Sequence, residues 1–376
     1  MNSMRVLICP DKFAGTLSAV EVAEAIADGW REAMPDDELT LRPLSDGGPG
    51  FVEVIAAAKP EARVLEVPTT DPLGRPATGQ VLVDGPTAYV ESAHACGLHL
   101  LTEAERDPKR TTTYGLGALL IAAVEAGART VVIGLGGSAT NDGGAGFLSA
   151  VGLTPRTPAG LFIGYGGAAV AQTATIDGMP RLRGADLVAA TDVDSPLTGL
   201  HGASAVFGPQ KGATREDVLL LDDALSRFSQ VLEKSVRTCP PGLAGLPGSG
   251  AAGGLGAALL ALGGRVASGI GMVRELIGLD SRLDASDLVI TGEGSFDEQS
   301  LHGKVVAGVA NAARDRGVPC VVLAGQISAG RRPAMAAGVT EMRALVDHFG
   351  DIKAAMERPA EGLHALGARL ARQWSR

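Results

Sequence analysis

The sequence predicts an α/β protein: a Rossmann-like parallel-sheet domain built from both ends of the chain, with a second α/β domain inserted. Three observations point there. Short runs rich in Val, Ile and Leu each lead into a glycine-containing turn and then a stretch with helical spacing, the order that builds parallel sheets. That order holds near the N-terminus, is interrupted, and returns from Asp287 onward. Hydrophobic residues make up 45% of the chain and aromatics only 3%, so the core rests on Ala, Val, Leu and Ile, as in sheets covered by helices on both faces. A chain of 376 residues has room for two domains. The expected boundaries are 1–70 plus 281–376 for the discontinuous domain and 71–280 for the insert.

The elements follow in order. A strand over Arg5 to Cys9 and a turn over Pro10 to Leu17 lead to a helix over Ser18 to Met34. Ser18 and Glu21 have the spacing of a capping box, and Pro35-Asp36-Asp37 stops the helix. A second strand, Leu39 to Leu44, enters the turn Ser45-Asp46-Gly47-Gly48-Pro49-Gly50, and Phe51 to Ala58 reads as a helix. Arg63 to Val67 continues the parallel series as a third strand. The texture then changes: after the turn Asp71-Pro72-Leu73-Gly74-Arg75-Pro76, the alternating runs Thr78 to Val83 and Ala88 to Glu91 are expected as an antiparallel ribbon. Next come a helix over about Thr112 to Ala126 and strands over Thr130 to Gly134 and Leu187 to Thr191. Glu216 to Val236 is a long amphipathic helix, and Gly248 to Gly256 flows into an Ala/Leu helix. Strands over Leu288 to Thr291, Pro319 to Ala324 and Val339 to Leu345, separated by helices, complete the pattern.

Composition narrows the partners. Formal net charge is −9, from 33 basic and 42 acidic residues with no basic run, which argues against nucleic acid or an anionic membrane. A small phosphorylated ligand stays open, because backbone N–H groups and a divalent cation can supply positive potential locally. Cys9, Cys96, Cys239 and Cys320 form no CxxC pair or Cys/His cluster, so free thiols in a reducing compartment are expected. Without a recognisable signal peptide or a long apolar span free of glycine breaks, the reading is a soluble, cytoplasmic protein. It is expected to act on small molecules as a monomer or homodimer.

The richest segment runs from Val289 to Lys304: a buried strand, a glycine-punctuated turn, then a helix starting at Gln299 or Ser300 and continuing to Arg316. Such junctions hold anions in α/β proteins, through close backbone approach and unpaired N–H groups at the helix start. Glu293, Asp297 and Lys304 together are the side-chain types that metal-bridged phosphate chemistry needs. The segment is not a Walker P-loop, since Glu298 stands five before Gly303 and Val305 follows Lys304. Gly134 to Gly146 also follows a strand and reads Gly-x-Gly-x-x-Ala, a variant of the dinucleotide fingerprint without the acidic residue that would hold a ribose. Its polar side chains, Ser138, Asn141 and Asp142 among Gly136, Gly137 and Gly143, suit a phosphate or substrate loop better. Asp192 and Asp194 end a buried strand, where they are placed to bind Mg²⁺ jointly or to accept a hydroxyl proton. Asp46, with Gly47 and Gly48, stands at another strand-to-helix turn, and Lys12 is an anchor for a carboxylate or phosphate.

Taken together, these stretches resemble the bacterial glycerate kinases that phosphorylate D-glycerate with ATP. The resemblance rests on Cys9 to Ala19, Pro43 to Gly48, Gly134 to Gly144, Ala190 to Asp194, Val206-Phe-Gly-Pro-Gln-Lys-Gly212, Ala251-Ala-Gly-Gly-Leu-Gly256 and Thr291 to Lys304, in the family's order and nearly end to end. This chain departs from the common pattern in three places. Its first lysine is Lys12, where many members would place one at Ala14; Pro49 stands where Glu is frequent and Ser195 where Asn is frequent.

The resemblance implies a two-domain enzyme with its active site in the cleft between domains, using ATP and Mg²⁺ without a Walker motif. It implies that Asp192, or else Asp297, deprotonates the attacking hydroxyl, and that Glu293 with an aspartate, Asp192 among the candidates, holds Mg²⁺. Lys304 would neutralise the phosphate in transfer, and the Gly136 to Gly143 loop would cradle anionic oxygens. Lys12, Asp46, Gly47, Gly48, Gln299 and Ser300 complete the expected substrate and ATP contacts. Phosphorylation at the 2-hydroxyl is also an implication of the resemblance, with the 3-hydroxyl as alternative. An NAD(P)-dependent dehydrogenase and a non-catalytic small-anion sensor remain as rivals of other classes.

Overall fold

The computed structural model describes residues 3–301 and 305–375. The chain clusters into two compact units: residues 1–46, 53–60 and 270–376 in the first, and 47–52 and 61–269 in the second. It is an α/β protein with two main sheets, one in each unit.

Among the described residues thirteen strands run in chain order: β1 (Arg5–Ile8), β2 (Glu38–Leu41), β3 (Arg63–Thr70), β4 (Pro76–Asp84), β5 (Thr87–Glu91), β6 (Thr130–Gly134), β7 (Leu153–Arg156), β8 (Thr175–Gly178), β9 (Asp186–Ala190), β10 (Arg265–Ala267), β11 (Leu288–Phe296), β12 (Cys320–Ile327) and β13 (Glu341–Ala344). The first unit's sheet has the order β13-β12-β11-β1-β2, all parallel. The chain therefore winds from β1 outward to β2 on one side, and from β11 to β12 and β13 on the other. The reversal falls between β1 and β11, and a doubly wound sheet opens a ligand crevice at the C-terminal ends of such a pair. The two chain ends meet in this pairing, where Arg5 N–H donates to Asp287 Oδ2 (2.9 Å) and the Asp287 N–H returns a bond to the Arg5 carbonyl (2.8 Å). Burial of Val6, Ile8, Leu288, Ile290, Val321 and Leu323 against the helices Ala19–Ala33 and Pro359–Trp374 fills one face.

The second unit's main sheet has the order β10-β9-β6-β5-β4-β3, with β7 and β8 as a separate hairpin. Strands β5, β6, β9 and β10 are parallel, so their C-terminal ends share one edge. β4 and β3 run antiparallel at the far side. Leu116, Leu120, Phe147, Leu225, Phe228 and Leu255 are among the residues that cover this sheet.

Several expectations need correction. Arg63–Thr70 is not a third strand of the first sheet: it pairs antiparallel with β4 along its whole length, and residues 61–70 accordingly belong to the second unit. Residues 270–280 fall in the first unit. The expected glycine turn after Thr291 is a strand, because β11 pairs with β12 as far as Phe296↔Ile327. Gly292 is needed for that close pairing, since a Cβ there would stand 2.0 Å from the Leu323 carbonyl oxygen. The single helix expected from Gln299 is a short 3-10 turn, Gln299–Leu301, and a helix, Val305–Arg314. Among the described residues no helix is long and apolar enough to cross a membrane. All four cysteines are free.

Candidate active site

In the first unit the β1–β11 junction gathers several of the expected residues. Backbone pairing continues past β1, with Asp11 N–H donating to the Gly292 carbonyl (2.8 Å), and this holds Asp11-Lys12 beside the C-terminal half of β11. Phe13 N–H then donates to the Leu17 carbonyl (2.9 Å) and closes a tight loop before Ser18, which caps the next helix. Asp11, Lys12, Glu293, Ser295, Asp297 and Gln326 line the polar side of a cavity of 390 Å³, a size suited to a small organic ligand. Lys12 Nζ lies 3.7 Å from Asp11 Oδ1 and 3.8 Å from Asp46 Oδ1, a proximity that the sequence did not indicate. Burial pushes the Asp11 carboxyl up to about 6, against the pull of Lys12 and with a further push from the Asp46 charge. Asp11 was absent from the expected set; its signal was its place next to Lys12 at the end of the first strand.

Asp297 and Ser300 form a reciprocal turn. Asp297 Oδ1 accepts from Ser300 N–H (3.0 Å), and Asp297 N–H donates to Ser300 Oγ (3.1 Å). Ser300 is fully buried and also donates to the Ser295 carbonyl (3.3 Å), so it shapes the turn. Gln299 is exposed on that turn. Lys304 lies outside the described residues.

In the second unit, the C-terminal ends of β6, β9 and β10 gather the other expected groups. Asp192 is exposed just past β9, and Ser268, just past β10, donates to its Oδ1 at 2.6 Å. The strand stops at Ala190, so strand alternation does not set the directions of Asp192 and Asp194. Gly47 and Gly48 pack backbone to backbone against the loop after β6: Gly136 N–H donates to the Gly47 carbonyl (3.1 Å), and a Cβ on Gly136 would meet Gly48 Cα at 2.4 Å. The glycines of both turns thus serve each other as well as any ligand.

Within this loop only Gly136 and Gly137 reach the surface; residues 138–148 are buried. Asp142 is wholly enclosed, its carboxylate accepting from Thr112 Oγ1, from Thr113 N and Oγ1, and from the backbone N–H groups of Gly144 and Gly146, at 2.9 to 3.3 Å. Its geometry is that of a pin for the loop. Asn141 Nδ2 donates to buried Ser204 Oγ (2.9 Å). Gly143 N–H donates to the Gly253 carbonyl (3.0 Å), in a segment where Ala252, Gly253 and Gly254 are all left-handed.

The residue that sequence reasoning left without a role is Lys211. It is fully buried on the short turn Pro209–Lys211, and its Nζ donates to Ser138 Oγ and to the Thr140 carbonyl. Burial lowers its ammonium to about 7, with the Asp142 charge opposing that shift. The Phe-Gly-Pro-Gln-Lys-Gly motif flagged the position, but no local pattern reveals that a lysine points inward.

A family model described as the glycerate kinase family matches residues 6–375. The chain belongs to the glycerate kinase family. Among its relatives, a Bacillus subtilis (strain 168) protein named glycerate kinase is 43% identical, covering 95% of this chain and 94% of the relative. An Escherichia coli (strain K12) protein named glycerate 2-kinase is 43% identical, with 86% of each chain covered. A crystal structure of a Salmonella typhimurium LT2 protein assigned as glycerate kinase 2 superposes with a TM-score of 0.81 at 39% identity, over 99% of this chain and 98% of that one. The protein is therefore a kinase by family, not a dehydrogenase or a sensor. The fold supplies the physical reason: the Gly134-x-Gly136 segment does not run into a helix as a dinucleotide fingerprint does, because the helix starts only at Ala145, after a buried loop.

Proposed function

We propose that this kinase transfers the γ-phosphoryl group of ATP to the 2-hydroxyl of D-glycerate, giving 2-phosphoglycerate and ADP. The observation that carries most weight is the cavity at the β1–β11 switch point, where Asp11, Lys12, Glu293 and Asp297 converge. The name of the Escherichia coli relative favours the 2-position over the 3-position.

Phosphoryl transfer asks a protein chiefly to align two oxygens and to offset developing charge. Asp192 is our candidate to accept the hydroxyl proton, its Oδ1 oriented by Ser268; Asp297, already committed to a turn, is the second choice. Lys12 and Lys304 would neutralise anionic oxygens, with Asp46 orienting Lys12. The packed turns Gly47-Gly48 and Gly136-Gly137, joined by the bond from Gly136 N–H to the Gly47 carbonyl, would cradle substrate or phosphate. Ser138, Asn141, Asp142 and Gly143 would keep that loop in shape from beneath.

The donors available for a metal are hard carboxylate oxygens, as Mg²⁺ prefers. Among the described residues no three Asp, Glu, His or Cys side chains stand close enough to cage an ion alone. That suits a cation held by one or two carboxylates, with phosphate and water filling the other positions. Glu293 with Asp11 or Asp297 would hold it, and Asp192 is the candidate in the second unit. The ion would supply charge neutralisation at the β- and γ-phosphates.

The direct test is ADP release from ATP with D-glycerate as acceptor, with and without EDTA, beside a thermal-shift measurement with NAD and NADP. Glycerate-dependent ADP release that EDTA abolishes is expected; none with Mg²⁺ present would overturn the reading.

A further inference from the structure

The cavity of the first unit has two kinds of lining. Besides the carboxylates and Lys12, apolar residues of the C-terminal segment line it: Leu345 and Val346 on the helix Leu345–Phe349, Ile352, Ala355 and Met356 on the helix Ile352–Glu357, and then Pro359. Ile352 and Met356 are 52% and 60% exposed, so two large apolar side chains of this lining stay open to water. Such exposure in the lining of a formed cavity suits a ligand with an apolar face.

D-Glycerate does not fit that description, because its three carbons carry four oxygens and leave no flat apolar surface to cover six side chains. A nucleotide does: a purine ring is flat and apolar on both faces, and its phosphates need a cation beside carboxylates. The cavity offers both kinds of lining within one volume of 390 Å³, a size suited to a small organic ligand. We propose that the wall formed by Leu345, Val346, Ile352, Ala355, Met356 and Pro359 holds the purine base of the nucleotide donor, with the phosphates directed toward Lys12 and Glu293. The inference rests on the reading of this protein as an ATP-dependent glycerate kinase and assigns the donor's site within it. The acceptor's site then lies elsewhere than on this wall.

The test uses the full chain and two measurements. First, the double variant Ile352→Ser/Met356→Ser, altered at exposed positions, should raise the KM for ATP about tenfold through lost apolar contact, with kcat and the KM for D-glycerate within about twofold. An unchanged KM for ATP, or a rise in the KM for D-glycerate instead, overturns the assignment. Second, 2-azido-ADP with Mg²⁺, photolysed and mapped by mass spectrometry, should label residues 345–359. Labelling confined to other segments overturns it too, even in an enzyme that phosphorylates glycerate. Labelling of 345–359 in a protein that leaves glycerate untouched supports the nucleotide site and refutes only the choice of acceptor.

Discussion

Lys211 Nζ lies 3.0 Å from Ser138 Oγ and 2.7 Å from the Thr140 carbonyl, tying a buried ammonium to the loop that follows β6. A lysine this deep is costly while charged, and burial lowers its pKa to about 7. The folded state thus releases a proton that the unfolded chain keeps until about pH 10.5. The stability this group contributes is fully present above the unfolded value and is lost as pH falls through about 7.

The first prediction follows from that sign. The thermal midpoint of the wild type, measured against Lys211→Met, should rise between about pH 7 and 10, the interval between the two pKa values. At pH 8 the variant should fold, because methionine removes a desolvation cost while it loses the two bonds. Its kcat should fall, because Ser138 and Thr140 lose the donor that fixes the loop. A midpoint difference flat across that pH range would refute the buried, titrating lysine.

Asp11 leads to the opposite dependence. Burial raises its carboxyl to about 6, so the folded state favours the neutral acid; the resulting stabilisation is present below the unfolded value and is lost as pH rises through about 6. Asp11→Asn should therefore be more stable than the wild type at pH 8, with the advantage shrinking toward pH 5. Activity should drop at both values, since the residue lines the cavity. A variant less stable than wild type at pH 8 would show that the charge is well accommodated.

Loss of a charged group that acts on the reacting atoms should separate chemistry from folding. Asp192→Asn and Lys12→Ala should each lower turnover by about 100-fold, the scale for one preorganised electrostatic group. Neither should move the midpoint by more than about 2 °C, the shift for roughly 1 kcal/mol in a chain of this size. Asp192 is exposed, and the ion pairs of Lys12 at 3.7 and 3.8 Å are long. Lys304→Ala is expected on sequence grounds to behave alike. Normal turnover in any of the three removes that residue from the site.

The sequence was legible where neighbours along the chain decide the structure. Ser18 and Glu21 do form a capping box, and Thr130–Gly134 is the strand its composition announced. Features decided by distant partners were not legible. Gly292 resembles a turn residue until the Leu323 carbonyl is seen against it, and Arg63–Thr70 resembles a parallel strand until β4 folds back along it. The same limit applies to the site. Asp142 and Asp192 look equivalent as acidic residues following strands, yet one is walled in by threonine hydroxyls and backbone N–H groups while the other is exposed. Inward-pointing Lys211 depends on contacts with Ser138 and Thr140, which sequence spacing does not encode.

The last prediction concerns which hydroxyl receives phosphate. D-Glycerate has a secondary 2-hydroxyl next to its carboxylate and a primary 3-hydroxyl one carbon further on. A clamp on the carboxylate can present either to an in-line donor, and a shift on the order of an ångström selects between them. The primary hydroxyl is the less hindered, so in the absence of positioning the 3-position would win; phosphorylation at the 2-position requires the base to sit close to the carboxylate anchor. An assay coupled to enolase and pyruvate kinase, run with and without phosphoglycerate mutase, separates the products. Enolase accepts 2-phosphoglycerate directly, so full signal without mutase is expected. Signal that appears only once mutase is added would mean that the enzyme makes 3-phosphoglycerate, and that the base addresses the carbon furthest from the carboxylate.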